Sequence, residues 1–159
     1  MDAQSEKLLL HILANVRVAA LGTIRDEAPR VSMVAFVPAQ DFSAYYIHVS
    51  RLAQHTVDMQ KNKQVSLLIA ETDDGRADPQ TLARLSIRGT AEFMENGEPG
   101  YTPVKAWYIE RFPMSEPLFN FADFSLWRIK PKGARFVVGL SKSFNLAPEM
   151  LQKLHKDKP

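Results

Sequence analysis

The residues best suited to chemistry in this chain gather at one junction. Ser50, Arg51, His55 and Thr56 lie in the run Tyr46-Ile47-His48-Val49-Ser50-Arg51-Leu52-Ala53-Gln54-His55-Thr56, where strand-like alternation passes directly into helical spacing. A helix start leaves backbone N–H groups unpaired and carries partial positive charge. Hydroxyl, guanidinium and imidazole donors beside it would seat a phosphomonoester. The same pattern fits Ser50 as a plain helix cap with Arg51 and His55 in solvent, and local spacing does not choose between the two.

Two further segments carry polar groups at strand spacing. In Pro29-Arg30-Val31-Ser32-Met33-Val34-Ala35-Phe36, alternation places Ser32, Val34 and Phe36 on one face, across which a planar ring could lie; taken alone, the pattern fits better a half-buried strand with Ser32 facing solvent or bonding locally. In Leu82-Ala83-Arg84-Leu85-Ser86-Ile87-Arg88-Gly89-Thr90-Ala91-Glu92, Arg84, Ser86 and Arg88 share the face opposite Leu85 and Ile87. Either arginine can be a solvated surface residue.

Composition removes competing chemistries. The absence of cysteine excludes disulfides, thiolate nucleophiles, iron–sulfur clusters and the common zinc knuckles. No Gly-x-Ser-x-Gly elbow occurs, and His11, His48, His55 and His155 show neither a triad partner nor metal-ligand spacing. A formal net charge of +2 argues against nucleic acid, and Lys142, Lys153, Lys156 and Lys158 are interleaved with acidic residues as on a solvated helix face. No apolar run approaches the roughly 18 residues of a membrane span. The opening Met1-Asp2-Ala3-Gln4-Ser5-Glu6-Lys7 has no basic leader, so the expected location is cytoplasmic.

The elements that must position these residues follow from periodicity. Leu8, Leu9, Ile12 and Leu13 predict an amphipathic helix over 5–15 that plugs a sheet. Strands are expected at 16–25, 30–38, 44–50, 64–71 and 82–93, with a turn at 26–29, a helix over 52–61 and a loop over 72–79. Gly89 marks a bulge or a close backbone approach. Thr102 and Pro103 read as cap and first turn of a helix ending near Arg111. Strands at 124–129 and 134–140 joined by 130–133 form a hairpin, and a last helix covers 147–155. Short helices between strands of similar length favour an antiparallel sheet closed into a small barrel. The aromatic group Trp107, Tyr108, Phe112, Phe119, Phe121, Phe124 and Trp127 is expected in the core or a dimer interface.

The ordered set Pro29-Arg30-Val31-Ser32, the Ser50 to Thr56 run, Val65-Ser66-Leu67-Leu68, Arg84 to Glu92, Leu126-Trp127-Arg128-Ile129 and Ala134 to Phe144 resembles the pyridoxamine 5'-phosphate oxidase-related flavoproteins, particularly their haem iron utilisation branch. The resemblance spans roughly residues 8 to 150 and departs at Gly139-Leu140-Ser141, where the branch has Gly-Phe-Gly. It implies one domain over 1–159: a mainly β, six-stranded antiparallel split β-barrel with peripheral helices, paired as a homodimer around flavin mononucleotide (FMN). Carried over by position, Ser50, Arg51, His55 and Thr56 surround the phosphate, Ser32, Met33 and Val34 line the isoalloxazine, and Arg84 reaches its polar edge. The implied function is an FMN-dependent oxidoreductase of unknown substrate. The alternative is a non-enzymatic module that holds flavin or haem. The family's Arg-x-His and terminal Arg-Leu-x-Pro motifs for pyridoxal phosphate are absent, so true pyridoxamine-phosphate oxidase activity is not expected.

Overall fold

The structure, a computed structural model, describes residues 1–154. It opens with α1 (Ala3–Asn15), capped by Asp2, whose carboxylate accepts the Ser5 N–H at 3.0 Å. Leu9, Ile12 and Leu13 of α1 are fully buried against the sheet, each contributing about 1.5–3 kcal/mol as an upper figure. The helix plugs the barrel as its spacing predicts.

The strands are β1 (Val18–Arg25), β2 (Ala28–Ala35), β3 (Val37–Pro38), β4 (Tyr45–Ser50), β5 (Gln64–Ala70), β6 (Arg84–Met94), β7 (Phe124–Val138) and β8 (Lys142–Leu146). Helices α2 (Gln54–Lys61), α3 (Tyr101–Arg111) and α4 (Pro148–Lys153) and two 3-10 segments, Pro79–Thr81 and Pro113–Asn120, complete the described residues. All pairings are antiparallel, in the order β2-β1-β5-β6-β7-β4-β3 with β8 on β7. β2 and β3 lie at opposite edges of this order, yet only Phe36 separates them in sequence. One residue cannot span a flat sheet, so the two edges must meet. The sheet is therefore curled, and it remains split between β2 and β4, which lie side by side without a ladder.

Eight strands replace the expected six among the described residues. The region 130–133 is not a hairpin turn: β7 runs straight through it, pairing with β6 along its length. Its other neighbour changes from β4, which covers 124–129, to β8, which covers 134–138. Pro131, lacking an N–H, falls where β7 has neither neighbour, and so interrupts no second ladder. The true hairpin comes later, at Gly139 with φ 68°, and leads into β8. The bulge expected at Gly89 is present, with Arg88 opposite Gly133 and Gly89 opposite Pro131, so Lys132 is the extra residue.

Other boundaries shift for local reasons. Asp26 and Glu27, at φ 49° and 61°, form a two-residue turn whose twist suits the β1–β2 hairpin. Gly100, at φ 92°, caps α3 in place of Thr102, which lies inside the helix. The expected last helix stops at Lys153; His155 lies outside the described residues. Among those residues no helix is long and apolar enough to cross a membrane.

Candidate functional site

The strand-to-helix junction is built as expected, and both of its hydroxyls take part in the turn, Thr56 as a donor and Ser50 as an acceptor. Thr56 is fully buried and donates its hydroxyl to the Ser50 carbonyl at 2.7 Å. Ser50 Oγ accepts the Leu52 N–H at 3.1 Å. Arg51 is exposed, its N–H donates to the Asp123 carbonyl, and its guanidinium sits 5.5 Å over the Phe93 ring. One turn into α2, buried Asp58 accepts from Arg25 Nε at 2.7 Å, Arg25 Nη2 at 3.1 Å and Thr23 Oγ1 at 2.9 Å, which pins the helix to β1. The Arg25 guanidinium holds the Asp58 carboxyl below the ordinary carboxylate range. His55 is half-buried beside this network, and its Nε2 is buried without a partner. Burial pushes the His55 pKa down, while Asp58 pulls it back. Of the four expected phosphate donors, Ser50, whose Oγ accepts but whose O–H is not donated, Arg51 and His55 have capacity to spare, and Thr56 acts as a structural tie.

On β2, Ser32 pairs across from Leu21 and Val34 from Ala19, and Val34 and Phe36 are buried in the core. A ring therefore cannot lie on the Ser32, Val34 and Phe36 face. The open face of β2 carries Val31 and Met33, each 74% exposed. Val18 of β1 and Leu68 of β5 extend the same apolar surface, since Ala20 stands opposite both Met33 and Leu68.

Arg84 does not join the junction. Its Nη1 donates to the Gln80 and Leu82 carbonyls at 3.1 and 3.0 Å. Met94, at the other end of β6, is in register with Leu126 and through it with His48, just before the junction. The span from Arg84 to Met94 is roughly 30 Å along the strand at about 3.3 Å per residue. The two groups cannot hold one small ligand within a single chain.

What the structure assembles instead is a basic cleft of about 380 Å³ where β1, β2, β5, β6 and β7 meet. Register lays Val31, Gly22, Ser66, Arg88 and Gly133 in one row across five strands. A Cβ on Gly22 would stand 2.5 Å from Ser66 Oγ, so the floor of the row is kept low by the missing side chain. Arg30, Arg88 and Lys132 line the cleft, and none of them makes an ion pair among the described residues. Arg30 alternates with Val31 and its charge acts on Asp58, which leaves Arg88 and Lys132 as the cations beside the apolar sheet face, a setting that suits an anionic planar ligand. Gly22 and Lys132 carry no motif of their own, and Ser66 lies in Val65-Ser66-Leu67-Leu68 without an assigned role; only cross-strand register brings the three together. No cluster of metal-ligating side chains occurs among the described residues.

The curled sheet, open between β2 and β4 with a helix plugging it, defines a split β-barrel. The chain matches the pyridoxamine 5'-phosphate oxidase family over residues 6–138 and belongs to that family. It is 35% identical over 116 residues to the chloroplastic haem oxygenase HOZ of Arabidopsis thaliana, covering 73% of this chain and 34% of that protein. It is 27% identical over 124 residues to the haem oxygenase HutZ of Vibrio cholerae, covering 77% of this chain and 69% of HutZ. The chain thus spans about a third of the plant relative's length. Among solved structures, a haem-binding protein from Mycobacterium smegmatis superposes with a TM-score of 0.83 at 22% identity, covering 96% of this chain and 62% of that one. That likeness concerns the fold.

Proposed function

We propose that this chain is a single split-barrel domain that binds haem between two copies of itself, for haem storage or turnover. The observation that carries the reading is the basic cleft beside the apolar face: two separate carboxylates on a broad apolar ring need dispersed cations and a flat apolar wall. Arg88 and Lys132 would hold the carboxylates, while Val31, Met33 and Leu68 would face the ring. A cleft of 380 Å³ in one chain is small for such a ring. A second copy closing over the exposed apolar face would supply the remaining wall. The relatives named as haem oxygenases favour haem over flavin. When bound, haem supplies iron redox chemistry, and the protein's share is to orient the ring and exclude water.

FMN is the second reading, and one feature favours it: the unpartnered His55 Nε2 beside the start of α2, where a phosphate oxygen would find both a donor and the helix's positive end. On this reading the chain is an oxidoreductase, and Ser50, Arg51 and His55 hold the phosphate.

Titrating the purified chain separately with haemin and with FMN discriminates the two. We expect a saturable Soret band with haemin, weakened about tenfold in Arg88→Gln and in Lys132→Gln, the scale of one partly exposed charge-assisted contact. Tight FMN binding that is lost in His55→Gln, with no saturable haemin spectrum, would replace the haem reading with the flavin one.

A further inference from the structure

A larger cavity, of about 740 Å³, lies away from the cleft just described, between α1, α3 and the β3–β4 turn. Lys7, Leu10, His11 and Ala14 of α1 recur at helical spacing along one wall, and Trp107, Glu110 and Arg111 of α3 form the other. The walls are held at a set distance by Arg111. Its Nη1 donates to the Ala14 carbonyl at 3.0 Å and its Nη2 to the Val16 carbonyl at 2.6 Å, while its Nε is buried without an acceptor. The floor contains Phe42, which is buried at φ 57°. A bulky residue in the left-handed region is strained, and such strain gathers at ligand-holding sites.

Volume, wall composition and charge together indicate the occupant. The cavity falls in the size range of small-molecule sites, and most of its wall is apolar. Its charged groups are Lys7 and Arg111 against the single carboxylate Glu110. His11 adds a donor. Asn15 Nδ2 donates to the His11 carbonyl at 2.9 Å and lies 3.1 Å from His11 Nδ1, so in the neutral ring Nδ1 accepts and Nε2 carries the proton. That tautomer presents a hydrogen-bond donor rather than a lone pair for a metal.

We propose that this cavity is a second binding site, which takes a carboxylate with an apolar body. The carboxylate pairs with Lys7 and Arg111 at the mouth, and the apolar body lies against Leu10, Trp107 and Phe42. The site is independent of the basic cleft, and neither needs the other to be filled.

The chain supplies its own reporter, since its two tryptophans differ: Trp107 lines this cavity, whereas Trp127 is buried in the barrel core with Nε1 donating to Ser125 Oγ. Decanoate, which does not absorb in the tryptophan range, serves as the probe and decanol as its uncharged control. The expected result is a saturable change in emission with decanoate, absent in Trp107→Phe and at least about tenfold weaker with decanol. Lys7→Glu and Ala14→Glu, both at exposed positions of α1, should each weaken decanoate by about the same factor without lowering the thermal midpoint. No saturable change in the wild-type protein would overturn the site, whether because the cavity stays empty or because a second copy fills it. So would an emission change that persists in Trp107→Phe, or decanoate affinity unchanged from wild type in both charge variants. Haemin titration of the same variants keeps the two proposals apart: loss of decanoate with haemin binding intact bears on this cavity alone.

Discussion

His48 shows how burial sets the behaviour of a single residue. Its ring stacks on Phe119 with centroids 3.8 Å apart and planes 6° apart, Tyr108 meets it edge-on at 5.7 Å, and Nδ1 is buried with no partner. Burial, helped by the Lys105 charge, pushes its pKa down to about 4 from the ordinary 6.5. As pH falls below 6.5 the unfolded chain takes up the proton while the folded chain stays neutral. Stability therefore falls progressively between pH 6.5 and about 4. His55, whose pKa is also lowered, adds to this with the same sign. Asp58 acts at lower pH, because stability from a depressed carboxyl is lost only below the ordinary carboxylate range. Denaturation midpoints measured across this window should decline with acid, and His48→Phe, which retains a ring against Phe119, should flatten the decline. An unaltered slope in His48→Phe would show that proton uptake at His48 is not coupled to folding.

At the level of elements, two glycines do different work. A Cβ on Gly89 would lie 2.6 Å from the Lys130 carbonyl oxygen, a backbone atom fixed by the bulge in the β6–β7 ladder. A Cβ on Gly22 meets only Ser66 Oγ, the end of a side chain that can rotate or be removed. Gly89→Ala should cost about 2 kcal/mol, within the range for overpacking a tight site, and no side-chain change nearby should restore it. Gly22→Ala should cost less and be relieved by Ser66→Ala. Urea unfolding of the single and double variants measures both, and a rescued Gly89→Ala would place the clash in a side chain instead.

For the whole molecule, the exposed Val18, Val31, Met33 and Leu68 form one apolar surface on β1, β2 and β5. If two copies pair as proposed, we expect them to close over this surface. Met33→Glu, at a position 74% exposed, should leave the monomer folded while splitting the dimer and weakening haemin binding. Sedimentation velocity at micromolar concentration checks the first effect and the Soret titration the second. A dimer that survives Met33→Glu moves the interface to another face.

Much of this architecture was legible in the order of residues, because alternation and helical spacing are local properties. Leu9, Ile12 and Leu13 announce the plugging helix, Tyr45, Ile47 and Val49 the buried face of β4, and Gly89 the bulge. The ordered motifs placed the chain in its family, which the match over residues 6–138 bears out. Register between strands distant in sequence is not local, since it depends on how the whole barrel closes over its core. That closure turned Ser32, Val34 and Phe36 inward, so that Val31 and Met33 face out. It also spent the Thr56 hydroxyl on the Ser50 carbonyl and carried Arg84 to the far end of β6. The same closure set Arg30, Arg88 and Lys132 around one cleft. Which residues could bear charge or bind a ring followed from their types; which of them can reach the same ligand was decided by the pairing of the strands.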